Sequence, residues 1–302
     1  MSDDKSDIEG QSGRPAFSER EIRSAFIVSL MRALHSRFDV EPLIDDPYGL
    51  VMLTPEDRAA LRDFVMARRQ DPPPTRAAAD PDEAVLASVM RARSGYGNVV
   101  VRTRFAEDRL GQAIEGGTSQ YVILGAGLDT FSLRQPALPS ELRIFEVDHP
   151  ATQEMKRRRF AAAGLTLPGN VALLPADLER TSVAEALSAS DFEPDRPAFF
   201  SWLGVSPYLT EQANTQALRS IARCAAPGSG FVFTYLAPLE NAEGTSYSRL
   251  HPQTVTHILD NCGFAVVEDL DAFELAGRYC AGRGDGLGVT TDFHIVHARM
   301  RG

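Results

Sequence analysis

Gly125 and Gly127 follow the apolar run 121–124, and about twenty residues later Phe145-Glu146-Val147-Asp148 closes a second apolar run with an acid. Glycine permits backbone angles that a side chain forbids, and it bares the main chain to a close ligand. A carboxylate at the end of the next strand can accept hydroxyl protons. In an open α/β sheet, ligands sit where strands end and helices begin. A glycine turn after one strand and an acid ending the next therefore form a pair suited to a nucleoside. A structural turn beside a surface acid is the plainer alternative.

The elements around this pair must position it. Residues 121–124 are rich in β-branched and aromatic side chains, which suits a strand covered on both faces. Downstream, strand and helix patterns alternate. Strands are expected over 142–147, 171–174, 198–203, 231–236 and 264–268, with a last apolar run over 289–299. Pro150, Ser182, Thr210 and His251 open the intervening helices. The alternation predicts a three-layer α/β fold with a parallel sheet. The stretch between Phe264 and Val289 shows no clear helix, which suits a final hairpin with an antiparallel last strand.

The first ~115 residues read differently, as a helical lid over 17–115 ahead of an α/β domain over 116–302. Residues 1–16 are polar and expected to be disordered. Ser18 to Glu21 is a capping-box pattern, followed by a helix with Ile22, Phe26, Leu30 and Ala33 or Leu34 as its apolar stripe, stopped by Pro42. Thr54-Pro55-Glu56-Asp57 starts a second helix. Residues 70–75 form a proline-rich connector, and helical text over 81–114 breaks near Gly95-Tyr96-Gly97.

Composition excludes several classes. The 302 residues carry 31 basic and 41 acidic side chains, a net charge of −10 that disfavours nucleic acid as a partner. Lys156-Arg157-Arg158-Arg159 is expected to be the solvated face of a helix. No apolar run approaches the ~20 residues of a membrane span, and the polar start lacks a signal-peptide core. With three scattered cysteines, Cys224, Cys262 and Cys280, the expectation is a cytoplasmic chain with reduced thiols and no membrane partner. His294 and His297 lie three apart in a strand, facing opposite sides, so no metal site is expected. Neither a nucleophile elbow nor a Walker sequence occurs.

The remaining rival is an NAD(P)-type oxidoreductase. In Gly125-Ala126-Gly127-Leu128-Asp129-Thr130, however, Thr130 stands where the dinucleotide fingerprint has its third glycine. Asp129, in what reads as the first helical turn, would repel a pyrophosphate. S-adenosyl-L-methionine carries a sulfonium and no phosphate, so an acidic glycine turn suits it better.

Several separated motifs agree with that ligand. Asp46-Pro47-Tyr48, Arg102-Thr103-Arg104-Phe105, Leu124 to Thr130, Phe145-Glu146-Val147-Asp148-His149-Pro150, Ala176-Asp177-Leu178 and Trp202 to Leu209 stand in this order along most of the chain. The sequence resembles the leucine carboxyl methyltransferase family, in its bacterial branch that includes polyketide O-methyltransferases. The resemblance implies a class I methyltransferase (Rossmann-like) sheet of seven strands, the last antiparallel, with an N-terminal helical lid. It also implies S-adenosyl-L-methionine as cofactor. By motif, Arg102 would grip the methionyl carboxylate. Gly125, Ala126 and Gly127 would pass beneath the methionine. Asp148 would accept the ribose hydroxyls, Asp177 with the Leu178 amide would read the adenine, and Leu203 would complete the cofactor-binding set. The bland alternatives are an ion-paired Arg102 and an N-capping Asp177.

Protein-carboxyl members of the family carry a glutamate near the end of the fourth strand, where this chain has Leu203. That departure favours a small-molecule acceptor, methylated on a carboxylate or hydroxyl, over a protein C-terminus. Arg32, Arg37 and Arg104 could hold a substrate carboxylate, although solvent-facing duty is the commoner fate. Tyr208 and His149 flank the expected pocket, and no general base is assigned. A non-catalytic, cofactor-binding relative is the third reading.

Overall fold

The structure is a computed structural model that describes residues 19–66, 81–134, 138–239 and 247–302. The tail over 1–16, Ser18 of the capping box and the connector over 70–75 lie outside the described residues. Four helices precede the first strand: α1 Glu19–Phe38, α2 Pro55–Met66, α3 Pro81–Arg91 and α4 Tyr96–Glu115. There follow β1 Gln120–Leu124, α5 Phe131–Arg134, β2 Arg143–Asp148, α6 Pro150–Ala162, β3 Val171–Pro175, α7 Val183–Ser188 and β4 Phe199–Trp202. The chain ends with α8 Glu211–Cys224, β5 Gly230–Leu236, α9 Pro252–Asn261, β6 Phe264–Leu270, α10 Ala272–Tyr279 and β7 Phe293–Met300.

The seven strands lie in the order β3-β2-β1-β4-β5-β7-β6. Every pairing from β3 to β5 is parallel, and β7 is antiparallel to both β5 and β6. The final strand is thus inserted between its neighbours. The sheet order reverses direction between β1 and β4, so their carboxyl ends form the switch-point crevice of the fold.

Burial follows from the period of two along each strand. Val122 and Leu124 of β1 join Phe200 and Phe233 in a core on one face, against Val183 of α7, Leu218 of α8 and Val255 of α9. Tyr121 and Ile123 face the other way, onto Val101 and Phe105 of α4 and Leu275 of α10. Helix α4 serves two cores at once, because Val99 and Val100 turn instead toward Leu30, Leu34 and Met90 of α1 and α3.

Two expectations are corrected. The stretch between β6 and β7 contains α10, started by a capping box in which Asp271 and Glu274 satisfy each other's backbone donors. Its single buried residue, Leu275, left too faint an apolar period to read. The basic run on α6 is not a solvated face either. Lys156 is fully buried, and Arg159 is paired with Asp57 beneath the Phe26 ring; only Arg157 and Arg158 are exposed. At 3.6 residues per turn, four consecutive residues cannot share one face.

Helix α1 is held to the sheet by charge as well as by its apolar stripe. Arg32, buried, donates through Nε to Asp46 Oδ2 at 2.9 Å and through Nη2 to the Leu128 carbonyl at 2.8 Å. Asp46 Oδ1 accepts from the Tyr48 and Gly49 amides at 3.2 and 3.1 Å. Arg32→Ala would leave Asp46 buried without its counter-charge, so urea unfolding should show a loss of about 3 kcal/mol. A loss under about 1 kcal/mol, in the range of an exposed pair, would mean that this contact does not hold the helix down.

Candidate functional site

The glycine turn follows β1 directly. Gly125 and Gly127 have φ of +66° and +54°, in the left-handed region that favours glycine. A Cβ on Gly125 would lie 2.3 Å from Val205 Cγ2, so the turns after β1 and β4 press against each other across the crevice. Ala126 is buried beneath them, while both glycines keep part of their surface. Among the described residues, the helix after the turn covers Phe131–Arg134. Asp129 precedes it, and Oδ1 accepts from the Phe131 amide at 2.6 Å. Burial works against ionisation of Asp129, but Arg32, Arg134 and Lys156 outweigh it and hold the carboxyl below its usual range.

Asp148, at the end of β2, points back to the turn. Its Oδ2 accepts from the Gly127 amide at 2.5 Å and its Oδ1 from the His149 amide at 2.6 Å. A carboxylate has about four acceptor positions, so acceptor capacity remains beyond these two amides. Burial pushes the Asp148 carboxyl above its ordinary value, opposed by those amides, Thr152 and the Lys156 charge.

Asp177 lies two residues beyond β3 and is half-buried. Its Oδ1 accepts from the Glu179 amide at 3.1 Å, and Arg180 Nε stands 3.7 Å from Oδ2. This is a local turn contact, not a helix cap. Leu178, half-buried beside it, packs against the core of that face.

Arg102 comes from α4, on the far side of the crevice. Its guanidinium lies over Gly204, where a Cβ would fall 2.2 Å from Nη1 and 2.6 Å from Cζ. Gly204 has φ +70° and donates its amide to Thr234 Oγ1 at 2.8 Å. Burial, resisted by the Tyr208 phenol group and Asp129 and assisted by Arg32, lowers the Arg102 pKa to about 10, so it stays charged at neutral pH. Among the described residues it makes neither an ion pair nor a hydrogen bond. A charged, half-buried fork of this kind can take a carboxylate in two bonds. Leu203, just before Gly204, is half-buried against the α4 side of the sheet.

Other sequence candidates are committed elsewhere. Arg32 serves the α1 tether. Arg37 pairs with Glu83 at 3.1 Å on the surface, and Arg104 pairs with Asp108 at 2.7 Å and reaches the Leu43 carbonyl at 3.0 Å. Arg104 borders an open cavity of about 450 Å³, but Asp45, Glu107 and Asp108 line it too, which disfavours an anionic substrate there. His149 caps α6, its Nδ1 accepting from the Ala151 amide at 3.2 Å. Tyr208, in the 3-10 turn Ser206–Tyr208, is hydrogen-bonded to Ser24 at 3.0 Å, and its ring meets Tyr247 edge-on with centroids 5.5 Å apart. His294 packs on Tyr235 and Asp269, whereas His297 faces Glu268 and Arg109.

Sequence reasoning missed Gly204, the floor under Arg102, and Lys156, the buried cation below Asp148. Gly204 directly after a strand was a readable signal; Lys156 was hidden inside a basic run.

This strand order, with the glycine turn and strand-end acids at the switch point, defines a class I methyltransferase fold. The profile of the leucine carboxyl methyltransferase family matches residues 25–222. YktD of Bacillus subtilis (strain 168), provisionally named an S-adenosyl-L-methionine-dependent methyltransferase, is 30% identical over 298 residues, covering 91% of this chain and 96% of YktD. A Saccharopolyspora erythraea protein with the same kind of name is 32% identical over 219 residues, covering 72% of this chain and 69% of its own length. A crystal structure from Thermobifida fusca YX, provisionally described as a methyltransferase, superposes with a TM-score of 0.56 at 16% identity, covering 92% of this chain and 94% of that one, and supports the fold. The chain belongs to the leucine carboxyl methyltransferase family and is an S-adenosyl-L-methionine-dependent methyltransferase. The oxidoreductase reading falls with that membership.

Gly204→Ala should push the Arg102 guanidinium off its floor and weaken S-adenosyl-L-methionine binding by roughly tenfold or more, the value of a charged hydrogen bond. Gly117→Ala is the control: φ is +93° but nothing lies within 4 Å of the added Cβ, so it should cost stability and leave affinity unchanged. Equal affinities of both variants and wild type in calorimetry would separate Gly204 from the cofactor.

Proposed function

We propose that this enzyme transfers a methyl group to an oxygen of a small molecule, a carboxylate in first place and a hydroxyl in second. The observation that carries the reading is the Arg102 guanidinium, charged, laid on Gly204 and without a protein partner among the described residues. It stands across the crevice from Asp148, so one elongated ligand with a carboxylate at one end and a ribose further along fits the residues present. S-adenosyl-L-methionine, when bound, supplies an electrophilic methyl on a sulfonium with a neutral leaving group.

The chain's own residues then have limited tasks. Arg102 binds the amino-acid carboxylate in a fork. The bare backbone of Gly125 to Gly127 gives room for the chain of the ligand. Asp148 accepts from the ribose through its remaining acceptor capacity, and Asp177 with the Leu178 amide reads the adenine edge. Asp129, held ionised, suits the positive charges of the ligand and would repel a pyrophosphate. Positioning and exclusion of water supply the rate.

Two features support the acceptor assignment. By the family resemblance Leu203 stands where protein-carboxyl relatives carry a glutamate, and it packs toward the α4 side of the sheet without offering a carboxylate. The Tyr208 hydroxyl and the His149 Nδ1 are engaged with Ser24 and Ala151. An acceptor that needs no base fits this arrangement, and a carboxylate is already ionised at pH 7.

Asp148→Ala should abolish S-adenosyl-L-methionine binding in calorimetry, and unchanged affinity would remove the ribose assignment. Arg102→Ala should weaken binding by about 1.5–3 kcal/mol; an intact Kd would rule out the carboxylate grip. Transfer of radiolabelled methyl to a panel of carboxylic acids and phenols tests the acceptor. Methyl esters release their label in mild alkali and aryl ethers do not. Label stable to alkali would overturn the carboxylate assignment.

A further inference from the structure

Thr234 lies buried near the carboxyl end of β5, on the same face as Val232, which packs with Val101 and Phe105 of α4. Its neighbours along the strand are Phe231, Val232, Phe233 and Tyr235. A hydroxyl buried among such residues costs free energy unless it is hydrogen-bonded. Here the Thr234 Oγ1 accepts the Gly204 amide at 2.8 Å.

The need for this bond follows from how β4 ends. The ladder between β4 and β5 closes with Trp202 beside Phe233. Gly204, two residues on, lies beyond that ladder, and its amide bonds a side chain of β5 rather than a backbone carbonyl. Its φ of +70° is open to glycine and strained for other residues. The bond therefore fixes the orientation of a peptide that the sheet no longer holds. The next residue, Val205, presses on the glycine turn, where a Cβ on Gly125 would lie 2.3 Å from its Cγ2.

Arg102 meets the other side of the same turn. A Cβ on Gly204 would lie 2.2 Å from Nη1, 2.6 Å from Cζ and 2.7 Å from Nη2, so the head of the fork is seated on bare backbone. Among the described residues no ion pair or hydrogen bond directs that fork. Its contact with Gly204 is thus what orients it, and a fork makes two bonds to a carboxylate only in a suitable plane. A small displacement of Gly204 moves the seat of the guanidinium.

We propose that Thr234 is a positioning residue of the cofactor site: its hydroxyl fixes Gly204, and Gly204 sets the height and tilt at which the Arg102 fork meets the cofactor's carboxylate. The inference rests on the carboxylate role given to Arg102. Thr234 acts through Gly204 and needs no contact with the cofactor.

The test compares two ligands by calorimetry. S-adenosyl-L-methionine carries the carboxylate; methylthioadenosine keeps the ribose and adenine but lacks the amino-acid end. Thr234→Val keeps the branched shape and removes the acceptor, which leaves the Gly204 amide unpaired. It should weaken S-adenosyl-L-methionine by about tenfold and leave methylthioadenosine unchanged. Thr234→Ser retains the hydroxyl and should bind both ligands as wild type does. Should Thr234→Val not fold, Thr234→Ala is expected to show the same selective loss. Equal weakening of both ligands would overturn the proposal and leave Thr234 a packing residue. Wild-type affinity for both in Thr234→Val would also overturn it, as would a Thr234→Ser variant as weak as Thr234→Val. Arg102→Ala with wild-type affinity for S-adenosyl-L-methionine would instead sink the carboxylate role.

Discussion

The hydrogen bond from the Gly127 amide to Asp148 joins the turn after β1 to the acid that ends β2. Both partners depend on position. Only a residue tolerant of positive φ can turn its amide toward the neighbouring strand, and only a strand in register with β1 can deliver the carboxylate there. The register places Leu124 beside Val147, one residue before Asp148. The parallel pairing of buried apolar strands thus fixes the geometry of a polar contact at their ends.

Around that contact the structure accumulates buried charge at one edge of an otherwise apolar sheet. Arg32 meets Asp46, Arg134 meets Glu107, Lys156 meets Glu146, and Asp129 feels three of these cations. Taking such groups out of water costs free energy unless each is paired. The pairing is supplied mostly by elements outside the sheet, from α1, α4, α5 and α6. Arg102 is the exception, a charged group lying over Gly204 that makes neither an ion pair nor a hydrogen bond among the described residues. In a site where every other buried cation meets an acid, that asymmetry supports the proposal that Arg102 takes a ligand carboxylate.

Much of this was readable in the sequence because it depends on local rules. The β-branched run before Gly125 fixed β1 and its turn, the acid after Val147 marked the end of β2, and proline or hydroxyl caps opened the helices after β2, β3 and β4. What escaped depends on contacts between distant residues. Nothing near Arg32 announces that it reaches the Leu128 carbonyl. Lys156 sat in a run of four basic residues whose solvent face is set by helical phase, and α10 offered one buried leucine and a capping box that passed for loop. The insertion of β7 between β5 and β6 is likewise a tertiary fact, invisible in an apolar run near the C-terminus.

In the proposed binding mode a single extended ligand reaches from the Arg102 guanidinium to the tip of β2. A crystal structure with S-adenosylhomocysteine tests it most directly. The account predicts the amino-acid carboxylate within hydrogen-bond distance of Arg102 and the ribose hydroxyls on Asp148, with the ligand backbone over Gly125 and Gly127. A ligand bound elsewhere, or one whose ribose leaves Asp148 bonded to Gly127 and His149 alone, would contradict it.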